Sequence, residues 1–91
     1  MDRHVDISLD FPVTIDGVQA HALRMRRATA RDEIAYQKRQ GSHGEKAAHL
    51  FASLCEIPVD AVLGMDVVDF AKLEETYMGF RASPSANSAK R

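Results

Sequence analysis

Apolar and polar side chains alternate through residues 5–15, and this pattern restricts the fold of the chain more than any other feature. A period of two places all the apolar side chains on one face of an extended strand. The apolar positions are Val5, Ile7, Leu9, Phe11, Val13 and Ile15. Pro12 lies on the opposite face and has no backbone N–H to donate, so we expect an edge, a bend or a strand break near residue 12.

Asp16 and Gly17 follow this segment directly and predict a two-residue hairpin turn. A type I′ turn needs two residues that tolerate positive φ, and Asp-Gly is a strong signal for it. Such a turn pairs Ile15 with Val18, Val13 with Ala20, and Phe11 with Ala22. Beyond Ala22 the apolar positions change parity, to Leu23 and Met25, which predicts a bulge or a change of strand partner there.

Two helices are predicted in the middle of the chain. Thr29 is typical of a helix N-cap, and Asp32 three residues later completes a short capping box, so the first helix is expected from Ala30 to about Gln40. Its apolar stripe is thin, and we expect it to lie shallowly on the rest of the protein. The second helix has a core-facing stripe at helical spacing. This stripe consists of Ala47, Leu50, Phe51, Leu54 and Cys55.

A short helix and a long last helix follow. Residues 58–63 predict a short helix that Gly64 ends. Asp66 is predicted to cap the last helix, with Asp69 as a second acid that favours the positive end of the helix dipole. The predicted core stripe of the last helix consists of Phe70, Leu73, Tyr77 and Phe80.

These elements predict one α+β domain over residues 1–80, in which an N-terminal β-hairpin precedes three α-helices and a short helical turn. Residues 81–91 are mostly small and polar. Such a segment buries too little surface to offset the entropy of ordering, so we expect a disordered, flexible polar tail.

The side chains suited to chemistry do not form a recognisable reaction centre. His4, His21, His43 and His49 are scattered, and no spacing to Cys55 matches a zinc site. Cys55 lies on the predicted core stripe, where a thiol behaves as a small hydrophobe. Nucleophile and phosphate-loop motifs are missing from the sequence, and Glu74 and Glu75 are expected on a solvated face. We therefore expect no catalytic residues, no metal, no cofactor and no enzyme activity.

The composition favours a protein of the cytoplasm. Twelve basic and thirteen acidic side chains give a net charge of −1, which argues against binding through nucleic-acid phosphates. No apolar run is long enough for a membrane helix, and the acids near the N-terminus do not fit a signal peptide. A single cysteine fits a reducing compartment.

Charge is unevenly distributed along the chain. Residues 21–46 contain seven basic and three acidic side chains, whereas residues 56–75 contain one lysine and six acids. Two interpretations remain open. The two surfaces complement each other in folding or in head-to-tail self-association, or one of them meets a charged partner segment.

A small DNA-binding regulator of helix-turn-helix type is an alternative. The second helix, the turn at Ile57 and Pro58, and the short helix have about that spacing. However, residues 58–63 contain no Arg, Lys, Asn or Gln to read base edges.

Two blocks of sequence resemble a known family. The first block contains Asp16-Gly17, Leu23-Arg24-Met25-Arg26 and Thr29-Ala30-Arg31-Asp32. The second contains Leu54-Cys55-Glu56-Ile57-Pro58, Leu63, Asp66, Asp69-Phe70 and Leu73. Their order and spacing resemble the small tail assembly chaperones of contractile-tailed, Mu-like phages and prophages. Ala28 departs from the pattern, since the family tends to have proline before the helix cap.

The resemblance implies a non-enzymatic chaperone that binds the phage tape measure protein and keeps it soluble until the tail tube assembles around it. It also implies contact with tail tube subunits during displacement, a location in the cytoplasm of the host bacterium, and absence from the mature virion. A structural subunit of the virion tail is an alternative. Weak self-association is a further expectation for so small a domain.

Six residues are candidates for partner binding. Apolar anchors near the end of the last helix and basic residues at the end of the hairpin fit a surface with an apolar centre and a charged rim. The candidates are Tyr77, Met78 and Phe80 as anchors and Arg24, Arg26 and Arg27 as the rim. The alternative is that the aromatic side chains close the core and the arginines form a solvated strand edge that discourages aggregation.

Overall fold

A computed structural model describes residues 4–82 and confirms the α+β fold, with a two-stranded antiparallel hairpin followed by helices. The elements are β1 His4–Ile15, β2 Val18–Arg26, α1 Ala30–Lys38, α2 His43–Cys55, α3 Val59–Leu63 and α4 Val67–Arg81. The tail predicted from residue 81 falls outside the described residues, apart from Arg81 and its C-cap Ala82. The domain boundary at residue 80 stays a prediction.

The hairpin turn forms where the sequence predicts it. Asp16 and Gly17 both have positive φ, at 52° and 80°. The predicted pairs of Ile15 with Val18 and of Val13 with Ala20 are confirmed.

The predicted pairing of Phe11 with Ala22 is wrong, because the irregularity lies in β1 and not in β2. Ser8 pairs with Ala22, so residues 9–12 stand opposite His21 alone. This bulge shifts the parity of the strand pairing, which explains the change of apolar positions along β2. Pro12 lies within the bulge, so the irregularity expected near residue 12 takes this form, and the strand continues without a break to Ile15. Phe11 leaves the core face and is 54% exposed.

Helix α1 lies on the surface and has no buried residue, as its thin stripe predicted. It ends at Lys38, two residues before the predicted end. The Asp32 carboxylate accepts from the backbone N–H of Thr29 at 2.7 Å and from its hydroxyl at 3.0 Å, so this acid holds the start of the helix.

Helix α2 is the central helix and contributes seven buried residues to the core. Its first turn is held by Ser42 and Glu45, since each backbone N–H donates to the other residue's side chain, at 2.9 and 3.1 Å. At its end Glu56 adopts a left-handed conformation. The Ile57 N–H then donates to the Ala52 carbonyl at 3.0 Å, a bond that closes the last turn. Cys55 is buried, and burial raises the pKa of its thiol to about 11.

The core lies between the hairpin, α2, α3 and α4. The predicted stripe of α4 only partly enters it. Leu73 is completely buried, whereas Phe70, Tyr77 and Phe80 are half-buried and pack at its margin. The ring of Phe51 in α2 lies 5.6 Å from the ring of Phe70 and 6.0 Å from that of Tyr77, measured between centroids.

Asp69 has a role that the sequence analysis did not predict. Its carboxylate is fully buried and accepts from the backbone N–H groups of Asp10 at 2.8 Å and Phe11 at 2.9 Å. Lys72, one turn later, lies 3.3 Å from this carboxylate and donates to the Ser8 carbonyl at 2.8 Å. The two side chains, here called the bulge clamp, supply the β1 bulge with the hydrogen bonds that β2 does not.

Candidate functional site

The outer face of α4 carries a row of three exposed side chains and one half-buried side chain, that of Glu74. Val67, Ala71, Glu74 and Met78 follow one another at helical spacings of four, three and four, so they lie along one line. Val67 is 75% exposed and Met78 is 61% exposed. Leu63, at the end of α3, is 60% exposed just before the row begins. We call these five residues the α4 ridge.

Two hollows lie against the ridge on the side of α2. The first, of about 270 Å³, lies between α2 and α4 and is lined by residues that include Ala47, Phe51 and Met78. The second, of about 260 Å³, is lined by residues of α2, α3 and the start of α4, among them Leu63 and Val67. Exposed apolar side chains that continue into apolar hollows are typical of an interaction surface.

The three predicted anchors lie in different surroundings. Met78 is exposed on the ridge, and Tyr77 lines the first hollow beside it. The Tyr77 hydroxyl also donates to the Glu33 carboxylate, and this bond lowers the pKa of Glu33. Phe80 lies away from the ridge, under the Arg27 guanidinium, whose central carbon is 5.3 Å from the ring centre.

The predicted arginine rim does not surround the three anchors, because Arg24 and Arg26 have their contacts elsewhere. Arg26 donates two hydrogen bonds to Asp32, at 2.8 and 3.0 Å, and holds the pKa of that carboxyl well below its usual range. Arg24 forms an exposed ion pair with Asp6 at 3.2 Å. Only Arg27 contacts a predicted anchor, since besides covering Phe80 it donates to that residue's carbonyl at 2.8 Å.

Carboxylates lie on and beside the ridge instead. Glu74 belongs to it, Glu75 follows on α4, Asp66 precedes it, and Asp60 lies on α3. All four are exposed or half-buried, and none forms an ion pair with a basic side chain among residues 4–82. The sequence signal for these carboxylates was the acidic excess of residues 56–75. The signal for the ridge was the row of apolar residues that α4 carries apart from its core stripe.

Comparison with protein families identifies the chain. The sequence model of a family described as phage tail assembly chaperone proteins, E, or 41 or 14, matches residues 6–81. The chain belongs to the phage tail assembly chaperone family. The match confirms the resemblance seen in the two sequence blocks. No curated protein and no solved structure matches the chain.

Membership of the phage tail assembly chaperone family supports a chaperone role and implies interaction with other phage tail proteins. The residues that carried the resemblance have structural roles in this chain. Asp16 and Gly17 form the hairpin turn, Asp32 starts α1, and Asp69 belongs to the bulge clamp. These three features of the family pattern therefore build the fold.

Other site types find no support in the part of the chain that is described. Among residues 4–82, no group of three or more His, Cys, Asp or Glu side chains is placed to hold a metal ion. Within the same residues, no helix combines the length and the apolar character needed to cross a bilayer.

Proposed function

We propose that this chaperone binds the tape measure protein, keeps it soluble in the cytoplasm of the host bacterium, and leaves it when tail tube subunits assemble around it. The observation that carries the proposal is the α4 ridge, which leaves Val67 and Met78 largely exposed beside two apolar hollows. An apolar helix of the tape measure protein would cover these side chains. The protein acts without chemistry, by covering a surface that would otherwise aggregate.

The dimensions of the ridge fit weak, reversible binding. Val67 and Met78 are eleven positions apart in α4, which corresponds to roughly 16 Å along the helix axis, or about three turns of a partner helix. Burying a large apolar side chain contributes about 1.5–3 kcal/mol, and association costs several kcal/mol in lost freedom of motion. One copy therefore binds weakly, and incoming tube subunits displace it by competition without ATP.

Co-expression with the tape measure protein of the same phage or prophage tests the proposal. The measurement is the fraction of tape measure protein that stays soluble and co-elutes with the chaperone. We expect a soluble complex with the wild-type chain and its loss with Val67→Asp/Met78→Asp, because two carboxylates on the ridge oppose apolar contact. A matched control is Val5→Asp/Val18→Asp, which adds the same charges at two exposed apolar hairpin positions.

Two results would contradict the proposal. One is a tape measure protein that precipitates while the wild-type chaperone elutes alone. The other is a control variant that loses the complex as completely as the ridge variant, since binding would then not involve the ridge. Mass spectrometry of purified mature tails tests the expected absence of the chain from the virion, and its presence at a fixed ratio to tube subunits would favour a structural role.

A further inference from the structure

We infer that the segment bound by the α4 ridge is an amphipathic helix whose apolar stripe is flanked by lysine or arginine. This inference rests on the proposed function, because it describes the chemistry of the partner that the same surface accepts. The inferred partner has the opposite charge to the one that the predicted arginine rim implies, since arginines would favour a partner with acidic flanks.

The first argument is the excess of negative charge along the ridge. Asp66 lies one residue before Val67, Glu74 lies within the row, and Glu75 is exposed next to it. Asp60 is exposed on α3, three residues before Leu63. A partner with basic flanks would neutralise these carboxylates at the edge of the contact, and one with acidic flanks would be repelled.

The second argument is that the basic groups closest in sequence or structure are already engaged. Lys72 points to the opposite face of α4, where it contacts Asp10 at 3.1 Å as well as Asp69. Arg81, at the end of α4, pairs with Glu33 at 3.0 Å. Because both bases are engaged within the fold, neither neutralises the negative charge of the carboxylates on and beside the ridge.

Two basic side chains near the start of α2 contact Tyr36 of α1. His43 contributes to the first hollow, but its ring contacts the Tyr36 hydroxyl through Nδ1. The Lys46 ammonium lies 5.0 Å from the centre of the Tyr36 ring. Neither forms an ion pair with Glu74 or Glu75 among the described residues, so the charged groups that α4 itself presents along the ridge are carboxylates.

The third argument is shape. A row of side chains at four-, three- and four-residue spacing, with a hollow beside it, matches the ridge-and-groove surface that packs against another helix. Lysine and arginine suit the flanks of such a helix, because their alkyl stems cover apolar surface while their charged ends reach outward. The carboxylates of Glu74 and Glu75 are in position to receive those charged ends.

A second copy of this chain is the main competitor for the surface. In α1, Ile34 is 52% exposed, and Arg31 and Lys38 lie three residues before and four residues after it. That helix has the same chemistry as the inferred partner, so self-association must be measured alongside partner binding.

Two synthetic peptides test the inference. Both are helical, twelve residues long and identical in their leucine stripe, and they differ only in having lysine or glutamate at the flanking positions. Binding to the wild-type protein is measured by fluorescence anisotropy at low and high salt. We expect the lysine peptide to bind about tenfold more tightly at low salt, since several exposed charge pairs each contribute a little. This preference should shrink at high salt, because ions screen exposed charges.

Two variants with equal changes of net charge locate the effect. Glu74→Gln/Glu75→Gln should remove most of the preference for the lysine peptide, while Thr14→Lys/His21→Lys, at exposed hairpin positions, should retain it. Equal binding of both peptides, tighter binding of the glutamate peptide, or an unchanged preference in the Glu74/Glu75 variant would overturn the inference.

Sedimentation of the protein alone provides the remaining test. Oligomers that dissociate on Ile34→Lys, with no binding of either peptide, would assign the ridge to a second copy and overturn the inference. The two proposals fail separately. Lysine-peptide preference with an insoluble tape measure protein contradicts only the proposed function, and a soluble complex without that preference contradicts only the inferred partner chemistry.

Discussion

The two faces of α4 reverse the usual distribution of polar and apolar residues. On the inner face, an aspartate is fully buried beside Leu73, and Lys72 reaches across to β1. On the outer face, Val67 and Met78 are exposed to solvent. The buried acid is tolerated because two backbone amides and an ammonium group satisfy it. The comparison indicates that the inner face maintains the fold, while the outer face carries the exposed side chains on which the proposed partner binding rests.

Truncation of the inner face should produce the largest effect. Leu73→Ala leaves a cavity next to α4 and should lower the free energy of unfolding by about 3 kcal/mol. For a domain of this size the melting temperature should fall by roughly 15 °C. Met78→Ala, on the outer face of the same helix, is the control, and its change should stay within about 0.5 kcal/mol. Similar losses in both variants would remove the distinction between the two faces.

The bulge clamp gives a second, smaller test. Asp69→Asn keeps the shape of the side chain but replaces one acceptor oxygen with an NH₂ group that faces a backbone donor. We expect the melting temperature to fall by roughly 10 °C. Asp66→Asn is the matched control, because asparagine caps a helix about as well as aspartate. A clamp variant as stable as this control would show that the bulge holds without Asp69.

Local signals allowed much of the fold to be predicted from the sequence. Asp16-Gly17 fixed the turn, and Thr29 with Asp32 marked the start of α1, because each feature depends on neighbouring residues. The bulge clamp joins positions 59 residues apart. Nothing near Asp69 distinguishes it from an ordinary acid in a first helical turn, so its burial and the position of the bulge could not be predicted from spacing.

Acid should weaken the bulge clamp and the start of α1, because both depend on carboxylates with lowered pKa values. Burial alone would raise the pKa of the Asp69 carboxyl, but the two amide donors and Lys72 lower it below its usual value. The pKa of the Asp32 carboxyl is likewise lowered, chiefly by the hydrogen bond from Arg26. Groups with lowered folded-state pKa values stabilise the protein above about pH 4 and lose this contribution as the pH falls further.

The measurement is the guanidinium chloride concentration at the midpoint of unfolding, determined at a series of pH values from 7 to 2. We expect it to stay constant down to about pH 5 and then to fall progressively. In Asp69→Asn the fall should be shallower, because one of the three carboxylates with a lowered pKa, Asp32, Glu33 and Asp69, is gone. An equally steep fall in that variant would assign the acid sensitivity to other groups.

The outer face should show the smallest effect on stability. Val67→Ser/Met78→Ser removes exposed apolar surface, and the free energy of unfolding should change by no more than about 0.5 kcal/mol. Chemical denaturation measures this change, and co-elution with the tape measure protein measures binding. Loss of binding at unchanged stability would sharpen the contrast between the faces, whereas marked destabilisation would mean that these side chains support the fold.

The candidate surface was predictable only in part. Met78 was singled out because it lies off the main apolar stripe, and the structure finds it on the α4 ridge. The arginines could not be assigned from sequence, because their partners Asp32 and Phe80 become neighbours only when β2, α1 and α4 meet. Val67 and Ala71 were missed because the apolar residues of α4 were interpreted as a single core stripe.

The bulge clamp also has a consequence for the order in which the molecule is made. The ribosome adds about 5–20 residues per second, so Asp69 follows Asp10 by roughly 3–12 s. During that interval a two-stranded hairpin is at best marginally stable, and the Asp10 and Phe11 amides have not met their acceptor. Folding is therefore completed only after translation of α4, and nascent chains that stop before this helix leave the β1 bulge without its acceptor and the part of the core that α4 covers exposed.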